Sequence, residues 1–197
     1  MPKTNRGLIT LKTSGLLKIA LGIFARLVLV NVLSLMFSVS ILTLFNSIFF
    51  RMICQLMNIS ILFFLPFGYC RSAGEKDRKL IKYGEIKEDV LKGLKAGVIA
   101  TIPFLTVPVL LILEKLNVLQ SQFLYIHRIV SAVFFPLNIT LLPSTLTLTE
   151  LGWPPVVLSC ATVLVYPLVP AFAYIMGLRN IYLETLFRIK KSIKKRG

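Results

Sequence analysis

Acidic residues, histidine and cysteine are scarce in this sequence. Of 197 residues only 8 are Asp or Glu, 1 is His and 3 are Cys. The cysteines Cys54, Cys70 and Cys160 are odd in number and not closely spaced, which argues against both a disulfide framework and a zinc site. Each lies in or beside an apolar run, so we expect them to pack between helices as small polarizable side chains.

Sequence motifs for catalysis are missing as well. Neither a G-x-S-x-G elbow nor a G-x-x-x-x-G-K-[ST] phosphate loop occurs, which disfavours serine hydrolase chemistry and ATP hydrolysis by this chain. His127 is the single histidine, so there is no histidine cluster for metal binding or proton relay. The sequence therefore predicts no catalytic, cofactor-binding or metal-binding residues, and we do not predict an enzyme.

Long apolar runs dominate what remains. Hydrophobic residues make up 56% of the chain and charged residues 16%, with a mean hydropathy of +0.80. Crossing the hydrocarbon layer of a bilayer, about 30 Å thick, takes roughly 17–25 apolar helical residues. The clearest runs of about this length are Leu27–Phe50, Met52–Tyr69, Ala96–Leu113 and Pro155–Gly177. We predict an all-α, polytopic transmembrane bundle with four spanning helices, forming one integral membrane domain over residues 1–197.

Positive charge provides the orientation. Of 23 Lys and Arg residues, all but Arg51, Lys115 and Arg128 fall in three segments. These segments are 1–26, the connection 71–95 and the tail 178–197. With four crossings they share one side, which the positive-inside rule makes the cytoplasm, so both termini are predicted to be cytoplasmic in the cell membrane. The net charge of +15 is explained by this topology and by attraction to anionic lipid headgroups at the cytoplasmic face. We therefore do not predict nucleic-acid binding.

The segment 129–149 is the ambiguous one. It is long enough to cross but is broken by Pro136, Asn138 and Pro143. A full crossing would place the basic tail 178–197 outside. We therefore predict a re-entrant or interfacial segment on the outer side.

An amphipathic helix is predicted before the first span, within residues 1–26. Ser14, Lys18, Gly22 and Arg26 recur every four residues and so lie on one stripe. Such a helix would lie in the headgroup plane as a lead-in to the first span, with its cations toward anionic lipid.

The connection 71–95 holds five of the eight acids, among them Glu88 and Asp89. Lysines flank this pair closely, which argues against a divalent cation site. We predict instead a helix that starts near Gly84, with acidic residues in its first turn.

Small, polar and proline residues mark the spans. Gly93 and Gly97 form a G-x-x-x-G pattern, which we expect to allow close helix packing within the chain rather than a dimer. Interhelical hydrogen bonds are predicted for the polar residues Asn31, Asn46, Gln55 and Asn58. Kinks or wide turns are predicted at the prolines of the third and fourth spans, Pro103, Pro108, Pro167 and Pro170.

Residues 74–103 read GEKDRKLIKYGEIKEDVLKGLKAGVIATIP. This stretch resembles a segment of small, uncharacterised multi-span membrane proteins of Gram-positive anaerobic bacteria. The resemblance covers about a sixth of the chain. It implies a bacterial cytoplasmic membrane and carries over no activity and no site residues.

Three functional hypotheses follow. Because the soluble parts are small and no charge within the spans marks a path, the first is a non-catalytic membrane subunit or scaffold that works with another protein. The proline-broken segments favour, as an alternative, a small homo-oligomeric transporter or channel. The third is a membrane-embedded enzyme acting on lipid, for which Glu88, Asp89 and His127 are the candidate side chains.

Overall fold

The chain is described by a computed structural model that covers residues 5–45, 47–119, 123–143 and 147–181, with side chains from residue 15 onward. Its α-helices are α1 (Asn5–Leu44), α2 (Ile48–Lys82), α3 (Lys92–Lys115), α4 (Phe123–Val130), α5 (Phe135–Leu141), α6 (Trp153–Ala161) and α7 (Val165–Leu178). Single 3-10 turns at Ala132–Phe134 and Thr162–Leu164 precede α5 and α7. All regular secondary structure in the described residues is thus helical, as predicted.

Four helical elements are long and apolar enough to cross a membrane. They are Gly15–Leu44 within α1, the whole of α2, the whole of α3, and Trp153–Leu178, which joins α6 to α7. A fifth apolar unit consists of α4 followed by Ala132–Leu141, bent by 92° at the break between them. The prediction of an all-α chain with four such helices is confirmed.

The four long elements form a bundle with two distinct ends. α1 and α2 form an antiparallel hairpin, α3 packs beside α1, and α7 packs against both α2 and α3. We call the end where α1 and α3 begin and α2 and α7 finish the basal end, and the opposite end the distal end. Tyr69 of α2 donates to the Lys18 carbonyl of α1 at 3.4 Å near the basal end, and Asn58 of α2 donates to Ser38 Oγ at 2.8 Å in the distal half.

The turn of the hairpin falls earlier than predicted. α1 ends at Leu44, whereas the predicted first span, Leu27–Phe50, continued beyond it. Ser47 is the N-cap of α2, and its hydroxyl accepts from the Phe50 backbone N–H at 3.5 Å. Serine favours this position because its oxygen satisfies an unpaired N–H of the first turn. The second helix consequently starts before Met52.

The N-terminal stretch is continuous with the first long helix. α1 is continuous from Asn5, and Ala20 and Ile23 are at most 2% exposed in the bundle core. Gly22 of the predicted polar stripe lies so close to Tyr69 that a Cβ would overlap the ring. Arg26 stacks over the same ring, 3.9 Å from its centroid. Gly22 and Arg26 therefore face α2, whereas the Lys18 side chain is exposed.

The connection between the second and third spans is shorter than predicted. α2 continues to Lys82, and Gly84, at φ +73°, lies just after its end. Glycine favours this left-handed conformation at helix C-termini. The prediction of a helix starting near Gly84 is therefore wrong: α3 starts at Lys92, with no acid in its first turn.

The helices continue through most of the prolines for which kinks or wide turns are predicted. α3 runs unbroken through Pro103 and Pro108, and α7 through Pro170. The 3-10 turn Thr162–Leu164 directly precedes α7, where Pro167 lies in the first turn. The ring of a proline clashes with the carbonyl of the residue four positions earlier, which here belongs to that 3-10 turn.

The segment between α3 and α6 leaves and returns at the distal end. Lys115, the last residue of α3, donates to the carbonyls of Leu148 at 2.8 Å and Thr149 at 3.0 Å, and also to that of Leu151. These carbonyls lie directly before α6, so the end of α3 and the start of α6 are neighbours. The intervening α4 and α5 fold back on themselves within the distal half of the bundle.

Candidate functional site

A buried polar cluster lies where the bent pair meets the bundle. It consists of His127 from α4, Ser131 at the bend, Asn138 from α5 and Ser159 from α6. Each is at most 1% exposed. Because these side chains come from both arms of the bent pair, from the bend itself and from α6, their hydrogen bonds fix the bent pair to α6.

The donors and acceptors of this cluster can be assigned in order. Ser131 Oγ donates to the His127 carbonyl one turn earlier, which uses its only hydrogen. Asn138 Nδ2 then donates to Ser131 Oγ at 2.8 Å, so Asn138 Oδ1 faces Ser159 and accepts from Ser159 Oγ at 2.7 Å. The remaining contact, 2.9 Å between His127 Nε2 and Ser159 Oγ, requires the histidine to donate.

This order has a chemical consequence. A serine nucleophile must give its proton to the histidine, which then acts as a base through an unprotonated ring nitrogen. Here Nε2 carries the proton and Ser159 donates to Asn138 instead. The cluster is a closed chain of hydrogen bonds that begins and ends on His127, and it stabilises the bend without activating Ser159.

The residues proposed for an enzyme are not brought together. Asp89 lies before the start of α3, where it accepts from Lys95 Nζ at 2.9 Å and from the Leu91 backbone N–H at 3.2 Å. Glu88 precedes it on the exposed basal surface. His127 lies in the distal half, most of the length of α3 away, and that helix of 24 residues is about 36 Å long. The structure therefore offers no common site for these three side chains.

The other predicted polar residues do bind across helices. Asn31 Oδ1 accepts from Tyr166 of α7 at 3.0 Å, and Gln55 Nε2 donates to the Val133 carbonyl at 3.2 Å. With Asn58, bonded to α1 as described above, they confirm the predicted interhelical hydrogen bonds. Asn46 lies outside the described residues.

A second polar site ties the basal ends of three helices together. Asp77 of α2, 7% exposed, accepts from Lys92 Nζ of α3 and from Tyr174 Oη of α7, each at 2.6 Å. A carboxylate that accepts two such bonds is well compensated for its burial. Sequence analysis placed Asp77 in a soluble connection and did not predict this site.

Glycines allow the close approach that this site needs. A Cβ on Gly74 would overlap the Tyr174 carbonyl, and one on Gly93 would overlap the Tyr174 side chain. A Cβ on Gly97 would lie 2.9 Å from the Pro167 carbonyl. Gly93 and Gly97 therefore pack α3 against α7, which confirms the prediction that this pattern serves packing within the chain.

Cysteines and acids form no metal site in the described part of the chain. Cys54 and Cys70 are buried, Cys160 is half-buried, and all three are free thiols, in agreement with the predicted packing role. Among the described residues, no group of three or more His, Cys, Asp or Glu side chains is placed to hold a metal ion.

Comparison with known proteins adds no assignment. No protein-family model, curated protein or solved structure matches this chain. The fold defines its class as an all-helical protein with four helices long and apolar enough to cross a membrane. Its role must follow from its own geometry.

Proposed function

We propose that the chain is a multi-pass integral membrane protein that crosses a bacterial cytoplasmic membrane four times, with its basal end and both termini in the cytoplasm. The distribution of charge supports this orientation. The exposed lysines of α2, of the turn after it and of α3 all lie at the basal end: Lys76, Lys79, Lys82, Lys87 and Lys95. The distal end of the described chain carries Arg51, Lys115 and Arg128.

In this orientation the α4–α5 pair is re-entrant from the outer side. Its support is the contact of Lys115 with the residues before α6, because a chain that returns to the same end makes no net crossing. The polar cluster around His127 supports it too, since irregular backbone at membrane depth requires internal hydrogen-bond partners.

Reporter fusions test this topology. Fusions after residues 72 and 197 are expected to report the cytoplasm, and fusions after residues 118 and 151 the outside. The pair 118 and 151 brackets the bent pair, so their agreement is the decisive comparison. An external signal at residue 197 with an internal signal at residue 151 would mean that the bent pair crosses fully, and the four-crossing topology would be wrong.

Within the membrane, we infer that the chain is a non-catalytic subunit or scaffold that works with another protein. The observation that carries this proposal is the basal site around Asp77. This site fixes the end of α2 to α3 and α7. The end of α2 therefore presents a rigid surface. The closed hydrogen-bond chain at His127 adds support, since Ser159 donates to Asn138 within it and is not activated as a nucleophile.

The surface offered to a partner is the projecting end of α2. This helix has 35 residues and is about 52 Å long, whereas the hydrocarbon layer is about 30 Å thick. Its last turns therefore extend beyond the bilayer, with Lys76, Lys79 and Lys82 exposed. An acidic protein surface or anionic lipid headgroups complement this charge.

A pull-down from native membranes in mild detergent tests this role. The tagged chain is expected to retain a stoichiometric protein partner, identified by mass spectrometry, and the double change Lys79→Glu and Lys82→Glu is expected to release it by reversing the charge of the surface. Lys18→Glu is the matched control, because Lys18 is also an exposed lysine near the basal end but lies on α1. Transport or enzymatic turnover by the purified chain alone would contradict the proposal.

The second candidate is a small homo-oligomeric transporter or channel. One observation favours it: a bent helical pair that places polar side chains inside the distal half, as discontinuous helices do at transporter sites. If the chain is a transporter or channel, the pull-down is expected to yield an oligomer of the chain with no other protein. Solute flux into liposomes that contain this oligomer would establish the transport function.

A further inference from the structure

A groove opens on the side of the bundle between the start of α2 and α5. It has a volume of about 320 Å³, and apolar side chains make up most of its lining, among them Met52, Leu56, Pro136 and Leu137. Met52 and Leu56 are 63% and 64% exposed. The groove therefore faces sideways from the bundle, toward the acyl chains of the surrounding lipid in the orientation proposed above.

One end of this groove is positively charged. Arg51 is the only charged residue among the described residues of the lining, and its Nη1 donates to Thr140 Oγ1 of α5 at 3.4 Å. Arg51 also lies in the first turn of α2, where the helix dipole adds positive potential. A guanidinium at a helix N-terminus favours a phosphate group, which it can bind through two parallel hydrogen bonds.

We propose that this groove is a binding site for a phospholipid of the outer leaflet, with the phosphate at Arg51 and one acyl chain along Met52, Leu56 and Leu137. The proposal rests on the proposed membrane topology, which places the start of α2 at the outer headgroups. The arrangement of groups along the groove matches a phospholipid, because a cation at headgroup depth lies directly beside an apolar channel.

A second copy of the chain fits this groove less well. In a two-fold dimer the same patch meets itself, so a contact centred on the groove would bring two Arg51 side chains together. Like charges at an interface are costly. A phospholipid offers the opposite charge and needs no further protein surface.

The test is lipid binding by the purified, delipidated full chain, followed by native mass spectrometry. Phosphatidylglycerol is added as the probe, with diacylglycerol as the matching lipid without phosphate. Arg51→Gln is expected to weaken phosphatidylglycerol binding about tenfold, the effect of one lost charge-assisted contact. Leu137→Trp is expected to fill the groove and weaken both lipids.

Two variants serve as controls. Met36→Trp adds the same bulk at an exposed position of α1, 65% exposed and outside the groove, and Lys18→Gln removes a cation near the basal end. Both are expected to bind phosphatidylglycerol as the unchanged chain does. Equal binding by Arg51→Gln and the unchanged chain, a loss with Lys18→Gln instead, or a dimer that Leu137→Trp dissociates would each overturn the proposal.

Failure of the lipid site and failure of the topology give different results. The reporter fusions do not depend on Arg51 or Leu137, so an incorrect topology appears there whatever the lipid measurements show. Correct topology together with unchanged lipid binding in both groove variants would reject the lipid site alone.

Discussion

Replacing Gly177 by alanine is expected to separate α2 from α7 and to lower the free energy of unfolding by about 3 kcal/mol, the upper part of the range for overpacked sites. The added Cβ would overlap the backbone carbonyl of Arg71. A backbone carbonyl in a helix cannot rotate away as a flexible side chain can, so the helices themselves must move. Unfolding of the purified chain in mixed detergent, followed by circular dichroism, measures the change.

Gly68→Ala is the matched control for Gly177→Ala. Gly68 also lies in a long helix, α2, but nothing lies within 4 Å of the Cβ that alanine would add there. Alanine is favoured over glycine in a helix interior, so this variant is expected to be unchanged or slightly more stable. Equal destabilisation by the two variants would show that the effect of Gly177→Ala is not the contact with α2.

Removing the carboxylate of Asp77 is expected to be nearly as damaging. Asp77→Ala leaves the Lys92 ammonium and the Tyr174 hydroxyl without their shared acceptor. The side chains of Asp77 and Lys92 are only 10% and 18% exposed. Breaking a buried pair from one side costs about 3–5 kcal/mol. Since this pair retains some contact with solvent, we expect a loss of about 2–3 kcal/mol in the same unfolding measurement.

Asp89→Ala provides the comparison for Asp77→Ala. Its partner Lys95 is 52% exposed and Asp89 itself 23%, so the ion pair is screened by water and contributes less than about 1 kcal/mol. Asp77→Asn keeps an acceptor for Tyr174 and is expected to fall between the two. If Asp77→Ala and Asp89→Ala had the same free energy of unfolding, Asp77 would not hold the basal ends of the helices together. The proposed rigid partner surface would then lose its basis.

The long helices could be predicted from the sequence, but not their ends. No charged residue occurs from Leu27 to Phe50, so hydropathy does not detect that the chain turns near Ser47, where the cap is a single side-chain hydrogen bond. The projecting end of α2 is charged, and its helical structure depends on packing of Gly74 and Asp77 against α7. That packing involves residues about a hundred positions apart and leaves no periodic signal in the local sequence.

The polar cluster could be predicted only in part. His127 is unique in the chain, and Asn138 lies between two prolines, so both were identifiable from the sequence. Ser131 and Ser159 have no such mark, because serine is common in the apolar segments and its role here depends on which helix lies opposite. The directions of the hydrogen bonds, which decide against an activated Ser159, follow only from the three-dimensional arrangement.

The contacts of α7 with α1 and α2 also set an order on biogenesis. Asp77 and Tyr174 are 97 residues apart in the chain, and Asn31 and Tyr166 are 135 apart. Helices emerge from the ribosome in chain order, so α1, α2 and α3 are synthesised before the helix that completes their packing. Until α7 follows, Asp77 lacks one of its two partners and the glycine-lined face of α2 has no helix against it. A nascent chain that ends before α7 therefore exposes a partly paired Asp77 carboxylate and the face of α2 at Gly74, both of which α7 covers in the finished chain.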